Sequence, residues 1–293
     1  MEIGGVHFAI SSEIPNLFQN PEPAYRPFLI TENNYTGPVD IQIHIRSGCM
    51  PGIEKMKKIF DSGQSWSMFQ NGDNFWLVLG STSFKEPFLL AKINHDFTLS
   101  VVYLNEDFLN QRNGKRSLSN PAGYPLDQIL LMYILARRHG ALLHASAIDI
   151  NGRGYIFPGK SGAGKSTITR QFVLQKDIDI LSDDRIVVKN IDGAFKVYGT
   201  PWPGESGFAL NKSVTLAGIF FINRSSANRI KEITGQEAME RLLPVTSIPW
   251  YDREVMPKII TFCEDLVSHV PVYELCFRPD IEVVNVFEKF VSA

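Results

Sequence analysis

The sequence predicts an α/β protein in two parts, a β-rich N-terminal region over residues 1–118 and an alternating strand and helix core over residues 119–293. Three observations predict it. Period-two alternation runs through the first part, as in Val39, Ile41, Ile43 and Ile45 against Asp40, Gln42 and His44. The stretch Gln111–Pro125, "QRNGKRSLSNPAGYP", concentrates Gly, Ser, Asn, Pro and basic residues and separates two different patterns. After it, short apolar runs alternate with helix-spaced segments, the order of an α/β core.

Within the first part, "SWSMFQNGDNFWLVLG" sets Asn71, Gly72 and Asp73 between two apolar runs, which is hairpin chemistry. "FLLAKINHDFTLSVVYL" repeats the arrangement around Asn94, His95 and Asp96. The period predicts antiparallel strands, and no residue pattern there carries a chemistry. In the second part, Pro125 opens a helix in which Leu126, Ile129, Leu130, Tyr133 and Ile134 recur at helical spacing until His139 and Gly140, with its apolar face expected on the sheet that follows. Then come a strand in "LLHASAIDI", a turn at Asn151–Gly152, a strand in "RGYIFPG", a helix from about Lys165 to Gln175, and the strand "IDILSDD". "RIVVKN" and "FKVYGT" form a hairpin around Asp192–Gly193, and "SVTLAGIFFIN" is a buried strand. Helices at Gly235–Leu242 and Pro257–Ser268, the strand "VPVYELCF" and a last helix complete the pattern.

Composition narrows the function. A 44% hydrophobic and 20% charged chain of 293 residues can build sizeable cores. Its net charge of −2 gives no concentrated basic excess, so nucleic acid is not expected as a partner. Cys49, Cys263 and Cys276 show no paired spacing, which argues against a disulfide framework or a zinc site and for a reducing, cytoplasmic compartment. The longest apolar runs, Ile129–Ala136 and Leu216–Ile222, are far below the roughly 18 residues of a membrane span, and the acidic N-terminus lacks a signal pattern, so no membrane insertion is expected. A homo-oligomer is compatible with the composition.

The chemistry sits in "IFPGKSGAGKSTITRQF". Gly159, Lys160, Ser161, Gly162, Ala163, Gly164, Lys165 and Ser166 satisfy the nucleotide phosphate-loop (P-loop) pattern G-x-x-x-x-G-K-[ST], between a strand and a helix as that pattern requires, with Thr167 following. Glycines let backbone N–H groups converge on phosphates, Lys165 reaches the β- and γ-phosphates, and the Ser166 hydroxyl suits Mg²⁺. One helix later, Asp183 and Asp184 end a strand beside the loop. Paired carboxylates there suit two tasks, holding Mg²⁺ and accepting a hydroxyl proton. Only eighteen positions separate Asp183 from Lys165, which favours a compact kinase-like core, and no "LSGGQ"-like helix start supports a transport ATPase.

"HASAIDINGRGYIFPGKSGAGKS", His144–Ser166, followed by "LSDDRIVV", resembles the core of the HPr kinase/phosphorylase family, whose phosphate-loop fold is shared with phosphoenolpyruvate carboxykinases. The likeness covers residues 141–190. It implies a compact P-loop kinase core preceded by the β-rich region. It places His144 near the transferred phosphate, Lys165 and Ser166 on nucleotide and metal, and Asp184 as acid/base with Asp183 beside it. Thr167 stands where bifunctional family members carry Glu, and Glu205 in "GTPWPGESG" is a candidate second Mg²⁺ ligand. The resemblance implies an ATP- and Mg²⁺-dependent kinase for a hydroxyl, foremost serine of a protein or peptide, with small-molecule hydroxyls also open. The competing expectation is a nucleotide-binding regulatory module with little phosphoryl transfer. Arg224, Arg229 and Arg253 could contact phosphate, but charged loop residues ordinarily face water, so they stand outside the candidate set. Trp202 and Trp250 suit either an acceptor pocket or local packing.

Overall fold

The computed structural model describes all residues except 16, 19–20, 31–36, 64, 81–86, 106–119, 176 and 293. The expected boundary at 118–119 and most of the Gln111–Pro125 stretch lie outside the described residues. The chain forms two compact units, Met1–Ile134 and Leu135–Ala293, and both strands and helices contribute. Among the described residues no helix is long and apolar enough to cross a membrane.

The first unit is a sheet of β1 (Glu2–Ile3), β2 (Val6–Ser12), β3 (Ile41–Ser47), β4 (Lys57–Asp61), β5 (Trp66–Asn71), β6 (Asn74–Leu79), β7 (Leu89–Ile93) and β8 (Leu99–Leu104), in the order β1-β2-β3-β8-β7-β6-β5-β4. Asn71 pairs with Asn74 across Gly72–Asp73, the two-residue turn that the sequence specifies. The expectation of a wholly antiparallel sheet needs correction, because β3 runs parallel to both β2 and β8. Long connections separate these partners, as parallel pairing demands, and side-chain alternation carries no information about strand direction. The helix α1 (Leu126–Arg137) begins after Pro125, whose carbonyl accepts from Ile129 N at 3.0 Å. Its Tyr133 ring stacks on Phe97 at 3.4 Å between centroids, and its buried Asp127 accepts from Tyr25 Oη at 2.6 Å.

The second unit comprises β9 (Gly140–Ile150), β10 (Arg153–Pro158), α2 (Lys165–Phe172), β11 (Ile178–Ser182), β12 (Arg185–Ile191), β13 (Ala194–Tyr198), β14 (Ser213–Arg224), β15 (Arg229–Glu232), α3 (Gly235–Leu242), α4 (Met256–His269), β16 (Val272–Phe277) and α5 (Glu282–Val291). Two type I′-like turns, Asn151–Gly152 and Asp192–Gly193, have both residues at positive φ and set the β9–β10 and β12–β13 hairpins. α3 starts on a capping box, with Thr234 and Glu237 satisfying each other's backbone N–H. The ladder runs β10-β9-β12-β13-β14, and a parallel pairing of β14 with β10 closes it into a ring, from which β16 and β15 extend. At the closure β10 comes so near its neighbours that a Cβ on Gly154 would lie 2.4 Å from Val197 and 2.8 Å from Val214. The ring needs glycine there.

An aromatic core holds α2 and α5 against the sheet. The fully buried Phe287 of α5 lies 5.6 Å from Phe157 of β10, 5.3 Å from Phe172 of α2 and 4.7 Å from Phe220 of β14, between centroids. Because Phe172 and Ile168 share one face of α2, this cluster fixes the helix that follows the glycine-rich loop. Phe287→Ala should therefore destabilise the second unit by about 3–5 kcal/mol in urea unfolding followed by circular dichroism. A loss below about 1 kcal/mol would contradict this packing role.

Candidate functional site

β9 is the strand from which the site is built. Along one edge it pairs with β10, Ala145 opposite Pro158, and Gly159 N then donates to His144 O at 3.2 Å. Along its other edge lie two strands in succession, β11 opposite Ile150 to Ala147 and β12 opposite His144 to Gly140. Asp183 and Asp184 are the joint between them, and Ala145 N donates to Asp184 O at 3.0 Å. Strand spacing of about 4.8 Å thus brings Gly159, His144 and Asp184 together in one row across three strands.

The loop leaves β10 at Pro158 and enters α2 at Lys165. Gly162 (φ 81°) and Gly164 (φ 106°) are in the left-handed region, and a Cβ on Gly164 would stand 3.1 Å from the Phe277 ring. Ala163 N donates to Lys160 O at 3.1 Å, closing the loop on itself. Lys165 is only 6% exposed. Its Nζ donates to Gly159 O at 2.8 Å and Lys160 O at 3.2 Å, and stands 2.9 Å from His144 Nε2. Burial pulls its pKa below the usual lysine range and Arg185 adds to the shift, while the Asp184 and Asp183 carboxylates oppose it.

His144 Nε2 also lies 2.8 Å from Asp184 Oδ1, and the other carboxylate oxygen is 3.6 Å from Arg185 Nε. Burial pushes the Asp184 carboxyl up, but the hydrogen bond and charge of His144, with the charges of Arg185 and Lys165, outweigh it and hold the group below the usual aspartate range. One ring nitrogen cannot donate to a carboxylate and accept from an ammonium at once, so the position of one proton decides which partner His144 holds.

Asp183 is 1% exposed, and both its oxygens accept backbone N–H groups, from Gly204 at 2.7 Å and Ser206 at 2.8 Å. It anchors the loop between them. That loop carries Glu205, whose side chain is 86% exposed and 3.9 Å from Arg170 of α2.

Together Ser161, Gly162 and Gly164–Thr167 of the loop, with His144, Asp183, Asp184, Gly204, Glu205 and Arg224, line a cleft of about 270 Å³. Gly159 and Lys160 instead border a second cleft of about 390 Å³, beside Phe221, Arg241 and Glu274. Ala163 is half-buried and lines neither cleft. Arg185 pairs with Asp184 rather than facing the cleft, Trp202 is buried and Trp250 is exposed. Sequence reasoning weighed Arg224 and set it aside, and it missed the anchoring role of Asp183. Arg224 enters the cleft because it ends β14, the parallel neighbour of β10. The anchoring of residues 204–206 by Asp183 joins segments about twenty positions apart. The signal for Arg224 is its place directly after a buried apolar strand; the anchor leaves none. Among the described residues no group of three or more His, Cys, Asp or Glu is placed to hold a metal by itself.

Fold and site define a mixed α/β protein that carries a glycine-rich strand-loop-helix turn flanked by a lysine, a histidine and two aspartates. Residues 126–284 match the family described as SynChlorMet cassette protein ScmC, and the chain belongs to that family. No curated protein matches the sequence.

The electrostatics give a direct test. The Asp184 side-chain carbon should titrate below the usual aspartate range by ¹³C NMR, and His144→Gln should move it upward; an unshifted value in the parent protein would contradict the arrangement. A depressed folded pKa adds stability above the unfolded value of about 3.9, and this is lost as the pH falls through the lower folded value. The stability gap between parent and Asp184→Asn should therefore be constant at neutral pH and close in acid.

Proposed function

We propose that the protein is an ATP- and Mg²⁺-dependent kinase that phosphorylates a hydroxyl, foremost a serine of a protein or peptide, and that its second unit is a P-loop kinase core akin to HPr kinase. The observation that carries this reading is the contiguous set Lys165 Nζ, His144 Nε2 and Asp184 Oδ1 beside a loop that fulfils every position of a nucleotide pattern.

The residues fit the group. Gly162 and Gly164 keep the cradle clear of side chains, and the first-turn N–H groups of α2 lack intrahelical partners. Lys165 exchanges carbonyl partners for phosphate oxygens, which offsets the cost of its burial. Ser166 supplies a hydroxyl for magnesium. Asp183 spends one acceptor site of each oxygen on an amide and keeps another, so it can serve as anchor and as metal partner. Glu205 offers a further carboxylate at the rim. Magnesium, when bound, neutralises phosphate charge and orients the oxygens. Asp184, ionised at neutral pH, takes the proton of the attacking hydroxyl, and His144 orients that carboxylate while Lys165 balances the charge that develops on phosphate.

The same contacts favour a second reading. A carboxylate held low by His144, Arg185 and Lys165 is a weak base, which suits a regulatory module that binds nucleotide without transferring phosphate.

Labelled ATP with Mg²⁺ and a panel of serine-containing peptides, free serine and sugars separates the two. The kinase reading expects label on a hydroxyl and, in Asp184→Asn, transfer lowered about 10²–10⁴-fold with nucleotide affinity kept. Lys165→Ala should abolish binding or turnover. Saturable binding with no transfer to any acceptor would favour the regulatory reading, and normal transfer in both variants would sink the residue assignment.

A further inference from the structure

The loop has two ends, and different cations serve them. At one end Lys165 Nζ meets His144, which meets Asp184. At the other, Arg224 Nη2 donates to Thr167 Oγ1 at 3.2 Å, and Arg224 Nε lies 3.5 Å from where a Cβ on Gly164 would be.

Arg224 owes this place to the sheet. It closes β14, which runs parallel to β10 and to β16, with Arg224 opposite Phe277 and Ser225 N bonded to Phe277 O at 2.9 Å. β10 and β14 are parallel neighbours, so their carboxyl ends lie side by side, and the glycine-rich loop leaves one while Arg224 closes the other. The charges around it are uneven. Asp184 is engaged by His144 and Arg185, Asp183 by two amides and Glu205 by Arg170. Arg224 has no carboxylate partner among the described residues, although it lines the cleft. A planar fork of donors without a counterion, steadied by a hydroxyl at the loop's rim, matches a phosphate oxygen pair.

We propose that Arg224 binds the nucleotide phosphate farthest from the transferred group, the α-phosphate, which ATP and ADP both carry, while Lys165 attends the transfer end. This rests on the nucleotide reading above. Phosphates of one chain lie in sequence along the loop, so a cation at the end opposite Asp184 meets the phosphate next to the nucleoside. Arg224 thereby sets affinity for nucleotide as such, and the loop's Thr167 positions it.

Calorimetric titration of the full chain with Mg-ATP and with Mg-ADP tests this. Arg224→Gln should weaken both by the same factor, roughly ten- to hundredfold as for a charge-assisted hydrogen bond. Thr167→Val should weaken both less, and the double variant should lose less than the product of the single losses. Arg224→Lys, which keeps the charge but not the fork, should fall between parent and Arg224→Gln, and it answers the question if the Gln variant does not fold. A loss confined to ATP would put Arg224 at the transferred phosphate and overturn the inference. Unchanged affinities in a parent that binds both nucleotides would overturn it while leaving the nucleotide reading intact. A parent that binds neither would remove both.

Discussion

The register of β9 is the constraint on which the site depends. With Ala145 opposite Pro158 and His144 opposite Arg185, one strand fixes how the loop, the histidine and the aspartates meet. A slip of one residue on either edge would turn His144 to the other face and separate it from Lys165 and Asp184. Both hairpin turns beside β9 and β12 hold glycine or aspartate and asparagine at positive φ, so local chemistry defends the register that long-range function needs.

Electrostatics follow from that placement. Among the described residues no carboxylate directly contacts the buried Lys165, which is satisfied by two carbonyls and an imidazole. Taking an ammonium from water costs several kcal/mol, and carbonyl contacts offset it only in part. The fold tolerates this because the aromatic cluster of Phe157, Phe172 and Phe287 fixes α2 independently of the charges at its start. Asp183 spends its burial differently. By tying Gly204 and Ser206 it converts a distant turn into one wall of the cleft, so the two adjacent aspartates act on different neighbours: Asp183 on a backbone loop, Asp184 on side chains.

What could be read from residues alone was local. Gly72 and Gly193 marked turns, Pro125 marked a helix start, and the glycines before Lys165 marked the loop between strand and helix, because each reports a backbone conformation within a few positions. The direction of β3 against β2 and β8, the closure of β10 on β14 at Gly154, and the succession of β11 and β12 along one edge of β9 depend on pairings across long connections, which side-chain alternation does not encode. Arg224 shows the limit within the site. Its type is that of any solvated surface arginine, and only the parallel pairing of β14 with β10 brings it to the loop.

The kinase proposal puts a nucleotide's terminal phosphate beside His144, Lys165 and Asp184, which line one cleft. A crystal structure grown with magnesium and a non-hydrolysable ATP analogue tests it most directly. The phosphates should lie in the 270 Å³ cleft, with Lys165 on the terminal group and Asp184 facing it from the acceptor side. Nucleotide bound elsewhere on the chain, or no nucleotide bound at a saturating concentration, would contradict it.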